Sequence, residues 1–133
     1  MARKKSSDQL TRLELELMKI LWESGPATVQ IVQQRLSQTR ELAYTTVQTM
    51  LNLLHSKGKV KRTLKDRAYY YRPAITRQQV VRQSMRDIID RLFGGSTESL
   101  VMSLIETRHL TPKTLAKLNK LLDQSREADH GDD

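Results

Sequence analysis

The stretch from Ala43 to Gly58 reads AYTTVQTMLNLLHSKG. Apolar residues recur at Ala43, Val47, Met50, Leu51 and Leu54, the spacing of one buried helical face, and Gly58 is placed to end the helix. The opposite face carries Thr45, Thr46, Gln48, Thr49 and Asn52. No charged residue occurs from Leu42 to Leu54. A helix face that meets only water is normally dressed with Lys and Glu, which are soluble and favour the helix. Thr and Asn are poor helix formers, so another requirement selects them. Short neutral side chains that donate and accept hydrogen bonds suit the base edges of a DNA major groove. The stretch reads either as a recognition helix or as a core helix with an ordinary solvated face, and the flanking sequence favours the first.

Upstream, the spacing predicts two further helices. Thr11 with Glu14 three residues on has the form of a capping box for a helix over Thr11 to Glu23. Leu13, Leu17, Ile20 and Leu21 make its apolar stripe, widened by Leu15, Met18 and Trp22, the single tryptophan and a core anchor. Ser24-Gly25-Pro26 stops it. Thr28 caps a second helix to Ser37, with Val29, Val32 and Leu36 inward and Gln30, Gln33, Gln34 and Arg35 outward. Gln38 to Leu42 turns the chain into the recognition helix, which completes a helix-turn-helix arrangement.

Downstream of Gly58 the period changes from 3.6 to 2. Residues 59–65, KVKRTLK, alternate apolar and basic, Asp66-Arg67 makes a turn, and Ala68-Tyr69-Tyr70-Tyr71-Arg72 returns to Pro73. Tyr69 and Tyr71 share one face of this hairpin and Tyr70 takes the other. A β-hairpin directly after a recognition helix is the order of a winged helix. Lys57, Lys59, Lys61, Arg62, Lys65, Arg67 and Arg72 stand against one acid, Asp66. Lysines that guard a sheet edge account for two or three of these, and phosphate contact accounts for the rest. Lys57, Lys59, Lys61, Arg62, Lys65 and Arg67 are the expected phosphate contacts.

Charge distribution agrees. The chain has 133 residues and a net charge of +8. Residues 1–73 hold 14 Lys/Arg and 6 Asp/Glu, and the remainder holds 9 of each, so all the excess sits in the first half. That pattern points to a polyanion-binding domain joined to a neutral module. With no cysteine there are no disulfides and no thiolate metal sites, which fits a reducing cytoplasm. No apolar run approaches a membrane span and no leader follows the basic start, so neither insertion nor export is expected.

Residues 1–9 read as a flexible basic arm, in which Arg3, Lys4 and Lys5 could touch phosphate, and 10–73 as the winged-helix domain. Residues 74–125 form three amphipathic helices. The first carries Val81, Met85, Ile88, Ile89, Leu92 and Phe93 and breaks at Gly94-Gly95. The second, capped by Ser96 or Thr97, carries Leu100, Val101, Leu104 and Ile105. The third opens at Thr111-Pro112 and carries Leu115, Leu118, Leu121 and Leu122. Three such helices are too few to enclose a core alone, so a homodimer built on these stripes is expected. Residues 126–133 read as a disordered acidic tail.

In order, the segments LTRLELELMKILWESGPATVQIV, AYTTVQTMLNLLHSKGKVKR, RAYYYRP, DIIDRLFGGSTESLV and HLTPKTLAKLNKLL cover nearly everything from Leu10 to Asp123. Together they resemble the penicillinase-repressor family of bacterial transcription regulators. The resemblance implies a winged-helix DNA-binding domain, a helical dimerisation domain, and a repressor that binds an inverted repeat in double-stranded DNA. It also implies a membrane sensor-protease as a partner and antibiotic-resistance or stress genes as targets. The family's Asn-Phe scissile pair falls on Ser103-Leu104, where neither residue matches. The Cys-rich motif of the copper-responsive branch is absent.

The expected class is thus mainly α: a winged helix-turn-helix with a small β-hairpin wing, followed by a helical dimerisation domain. No catalytic constellation is present, and no cofactor or metal is expected. His55, His109 and His130 lie in separate elements, and Glu14 and Glu16 point to different faces. Asp129, His130, Asp132 and Asp133 read as tail rather than as a metal site. The alternative function, of a different class, is a protein-interaction adaptor whose winged helix docks on an acidic partner without specific DNA binding.

Overall fold

Thr11 and Glu14 open the first helix, α1 (Arg12–Ser24), with a reciprocal cap. The Glu14 amide donates to Thr11 Oγ1 at 3.1 Å and the Thr11 amide to Glu14 Oε1 at 2.8 Å. Gly25 ends α1 at φ 77° and ψ −162°, a region essentially reserved for glycine. Thr28 caps α2 (Val29–Leu36) by accepting from the Ile31 amide at 3.3 Å. Helix α3 (Tyr44–Ser56) starts without a side-chain cap at Ala43. It closes with two nested bonds, Lys59 N–H to Leu54 O at 2.9 Å and Gly58 N–H to His55 O at 3.0 Å. Gly58 supplies the left-handed turn at φ 76°.

The hairpin pairs β1 (Val60–Lys65) with β2 (Ala68–Pro73), antiparallel, in register from Val60↔Pro73 to Lys65↔Ala68. Asp66 and Arg67 form the two-residue loop with φ of 52° and 67°, the left-handed pair of a type I′ turn. The periodicity shows two strands and their one pairing, and the structure adds a second pairing. Ala27 bridges to Tyr71, N–H to O at 2.9 Å one way and 2.8 Å the other. A single bridging residue leaves no alternation to read, so only the fold reveals it.

This computed structural model describes residues 9–131, and the expected phosphate contacts of Arg3, Lys4 and Lys5 lie outside them. The chain divides into a unit up to Ser84 and a unit from Met85, a division inside α4 (Arg77–Leu92), where a boundary near Pro73 is expected from sequence. In the first unit Leu17, Met18 and Leu21 of α1, Val29, Val32 and Leu36 of α2, and Val47, Leu51 and Leu54 of α3 pack with Ala27, Val60 and Tyr71 into one core. Ala43 is exposed as the cap residue, not buried as its spacing suggests. The Trp22 indole N–H donates to Ile75 O at 2.9 Å and ties α1 to the chain leaving the hairpin.

The second unit holds the end of α4, α5 (Thr97–Glu106) and α6 (Pro112–Gly131). Ser96 caps α5 through the Ser99 amide at 3.1 Å, and Thr111 caps α6 through the Thr114 amide at 3.2 Å. Helix α6 continues to Gly131, so 126–131 are helical where the composition suggests a disordered tail. None of residues 77–127 is buried. Ile89, Phe93 and Leu100 are half-buried, while Val81, Met85, Ile88, Leu92, Val101, Leu104, Leu115, Leu118, Leu121 and Leu122 are exposed.

Candidate nucleic-acid interface

The outer face of α3 presents Thr45, Thr46, Gln48, Thr49 and Asn52, all exposed. Val47, Leu51 and Leu54 hold the other face in the core with no exposure at all, so the rotation of the helix is set by burial. The five polar side chains are not equivalent. Those of Thr45, Thr46 and Gln48 make no hydrogen bond among the described residues. The Thr49 hydroxyl donates to Thr45 O at 2.9 Å, which leaves only its lone pairs facing out. Asn52 Oδ1 accepts from Tyr71 Oη at 2.9 Å and from Arg62 Nη1 at 3.2 Å. Leu53, four residues on from Thr49, is 50% exposed on the same side. Leu53 is out of phase with the core stripe, and the fold leaves it on this outer face.

The register of the hairpin sorts its side chains. Val60, Arg62 and Leu64 share a face with Tyr69, Tyr71 and Pro73, and Lys61, Thr63 and Lys65 share the other with Ala68, Tyr70 and Arg72. The base is anchored, with Val60 and Tyr71 buried, and the tip stands clear, with Leu64 61% exposed. The Arg62 guanidinium lies 4.4 Å from the centre of the Tyr69 ring, which holds the cation in place. Lys61 sits directly across from Arg72, a like-charge pair that a free hairpin disfavours. Among the described residues Lys59, Lys61, Lys65, Arg67 and Arg72 have no acidic partner. An array of cations left unneutralised by the protein is suited to a polyanion.

Lys57 has another task. Its Nζ lies 2.9 Å from Glu14 Oε2, and the Glu14 side chain is nearly fully buried. The expected phosphate contact of Lys57 competes with this pair, which ties the end of α3 to the start of α1. Burial pushes the Glu14 carboxyl up, but the Thr11 amide and the Lys57 ammonium outweigh it and hold the group below its usual value. Arg40 pairs with Glu16 at 3.3 Å and fastens the connection before α3 back onto α1. Gln33 Nε2 donates to Leu42 O at 3.0 Å and fixes the same connection from α2.

Three helices, an uncharged polar face on the third, and a cationic hairpin rooted beside it define a winged-helix DNA-binding module. The profile of the penicillinase repressor family matches residues 10–124. The chain is 26% identical over 122 residues to the penicillinase repressor of Bacillus licheniformis, covering 92% of this chain and 95% of that protein. It is 37% identical over 103 residues to the transcriptional regulator BlaI of Mycobacterium tuberculosis, 74% of this chain and 75% of that one. The solution structure of the DNA-binding domain of the repressor BlaI matches with a TM-score of 0.49 at 33% identity, over 53% of this chain and 85% of that chain. The chain belongs to the penicillinase repressor family. It is a DNA-binding transcriptional repressor of the BlaI/MecI type and not an enzyme. No helix among the described residues is long and apolar enough to cross a membrane.

Proposed function

We propose that this repressor binds an inverted-repeat operator as a homodimer. Thr45, Thr46, Gln48 and Thr49 line the base edges of the major groove, and Lys59, Lys61, Arg62, Lys65 and Arg67 hold phosphates beside it. The observation that carries this is the uncharged face of α3 standing next to cations with no acidic partner. The apolar stripes of the C-terminal helices, exposed in the single chain, supply the surface on which two copies pair. The cytoplasm is the place of action that fits a repressor, and antibiotic-resistance or stress genes are the targets the family suggests. A membrane sensor-protease is the family's partner, yet Ser103-Leu104 lies within α5 and does not carry the Asn-Phe pair.

Fluorescence anisotropy with the duplex upstream of this protein's own gene, against a scrambled duplex, tests the proposal. A preference of about a thousandfold for a site with two inverted half-sites is the expected result. With four phosphates held per subunit, the log-log salt slope is about −7, from about −0.9 for each. Equal, weak and salt-sensitive binding to both duplexes overturns specific recognition by α3.

A further inference from the structure

Asn52 stands among the side chains expected to read bases, yet its carboxamide oxygen is engaged inside the protein. Tyr71 Oη donates to Oδ1 at 2.9 Å and Arg62 Nη1 donates to the same atom at 3.2 Å. A guanidinium carries donors only, so the atom facing Arg62 is the oxygen and not the amide nitrogen. A carboxamide oxygen has two lone pairs, and these two bonds use both. The donors come from the two strands of the wing, at positions paired directly across the hairpin, Arg62 in β1 and Tyr71 in β2. Tyr71 is 2% exposed and is bonded through its backbone to Ala27, so the anchor beneath Asn52 is rigid. Arg62 is stacked on Tyr69 besides.

We propose that Asn52 is a positioning residue that locks the wing to the recognition helix, and not a reader of bases. The proposal rests on the DNA-binding reading above and assigns one member of its α3 face a different role. An asparagine that reads adenine must accept from N6 and donate to N7 with the same carboxamide. Both acceptor sites of Oδ1 are taken, so this bidentate reading of adenine requires breaking the bond to a buried tyrosine hydroxyl and releasing Arg62. Held as it is, Asn52 sets the angle between α3 in the groove and the cations of the wing on the backbone. It keeps Arg62, one of those cations, at a fixed place.

Four full-length proteins test this: wild type, the two variants Asn52→Ala and Tyr71→Phe, and the double variant. The Phe variant keeps the ring in the core and removes only the hydroxyl, which separates the brace from folding. Hydrogen exchange is first measured without DNA. Both variants are expected to exchange faster at the β1 and β2 amides and to leave α1 and α2 unchanged. A binding site is then selected from random duplexes with wild type, and every base pair in it is substituted. Both variants are expected to bind all these duplexes about tenfold more weakly, by one common factor. The double variant is expected to be no worse than Asn52→Ala alone. The salt slope should fall by about 0.9 per half-site as Arg62 loses its fixed position. Asn52→Ala erasing the preference at one base pair, with wing exchange and salt slope unchanged, overturns the proposal. So does unchanged wing exchange in both variants of the free protein. If wild type selects no site, specific DNA recognition fails, and the exchange data still decide the brace.

Discussion

Asp66, Arg67 and Arg108 hold left-handed backbone angles with full side chains, at φ of 52°, 67° and 63°. Such a conformation costs an L-residue about 1–2 kcal/mol, and glycine enters it freely. Arg108 closes α5 as a glycine would, with its N–H on Ile105 O at 3.1 Å and the His109 N–H on Leu104 O at 2.9 Å. Arg108→Gly should raise unfolding stability by about 0.5–1 kcal/mol, read as a shift in urea midpoint, and leave DNA affinity unchanged. Arg67→Gly should show a similar gain in stability but bind all duplexes more weakly, because its charge stands at the wing tip. Glu14 gives a pH prediction. Its folded value lies below the ordinary 4.5, so the stabilisation is complete above that pH and is lost as pH falls through and below it. Stability should therefore fall more steeply below pH 4.5 in wild type than in Glu14→Gln, as followed by urea unfolding across pH. Lys57→Met should cost about 2 kcal/mol at neutral pH by leaving the buried carboxylate without its partner, less than a fully buried pair because Lys57 is partly exposed.

The wing and α3 work as elements. Their residue types were legible: a 3.6-residue period up to Gly58, a period of 2 after it, and an excess of cations on the hairpin. Their mutual attachment was not. The Ala27 bridge, the Lys57 pair and the Asn52 hydrogen bonds join positions 44, 43, 10 and 19 residues apart, and no local pattern encodes such distances. Arg67→Ala should weaken binding to every duplex alike and flatten the salt slope of a dimer by about 2, from about −0.9 at each half-site. Thr46→Ala or Gln48→Ala should leave the slope in place and narrow the gap between the operator and random DNA. The narrowing should be about 1–3 kcal/mol for each side chain that reads a base. Competition anisotropy at three salt concentrations separates the two classes.

At the scale of the whole chain, the first unit encloses its own core and the second does not. Twelve hydrophobic residues are buried around α1, α2 and α3, while the stripes of α4, α5 and α6 remain open among the described residues. Leu51→Ala, at a position with no exposure, should cost about 3 kcal/mol of stability in the first unit. Leu118→Glu should act through assembly instead. Sedimentation equilibrium should show it shifted to monomer at concentrations where wild type is dimeric. Its affinity for a full operator should fall by two orders of magnitude or more, and that for a half-site should stay unchanged. Wild type sedimenting as a monomer throughout would remove the dimer from this account.

The sequence by itself determined the kind and order of the elements, because helical and strand periods, caps and turn residues are properties of neighbours along the chain. It also determined the sign and location of the charge, and through its ordered motifs the family. Only the tertiary structure decided what each polar group faces. Thr46 and Asn52 look alike as members of one face, yet one side chain is free and the other has its oxygen filled by two strands of the wing. Lys57 and Lys61 look alike as cations of one run, yet one neutralises a buried carboxylate and the other lies across from an arginine. Hydrogen-bond and ion-pair partners are set by which surfaces pack together, and that packing is long-range information carried by no single stretch of residues.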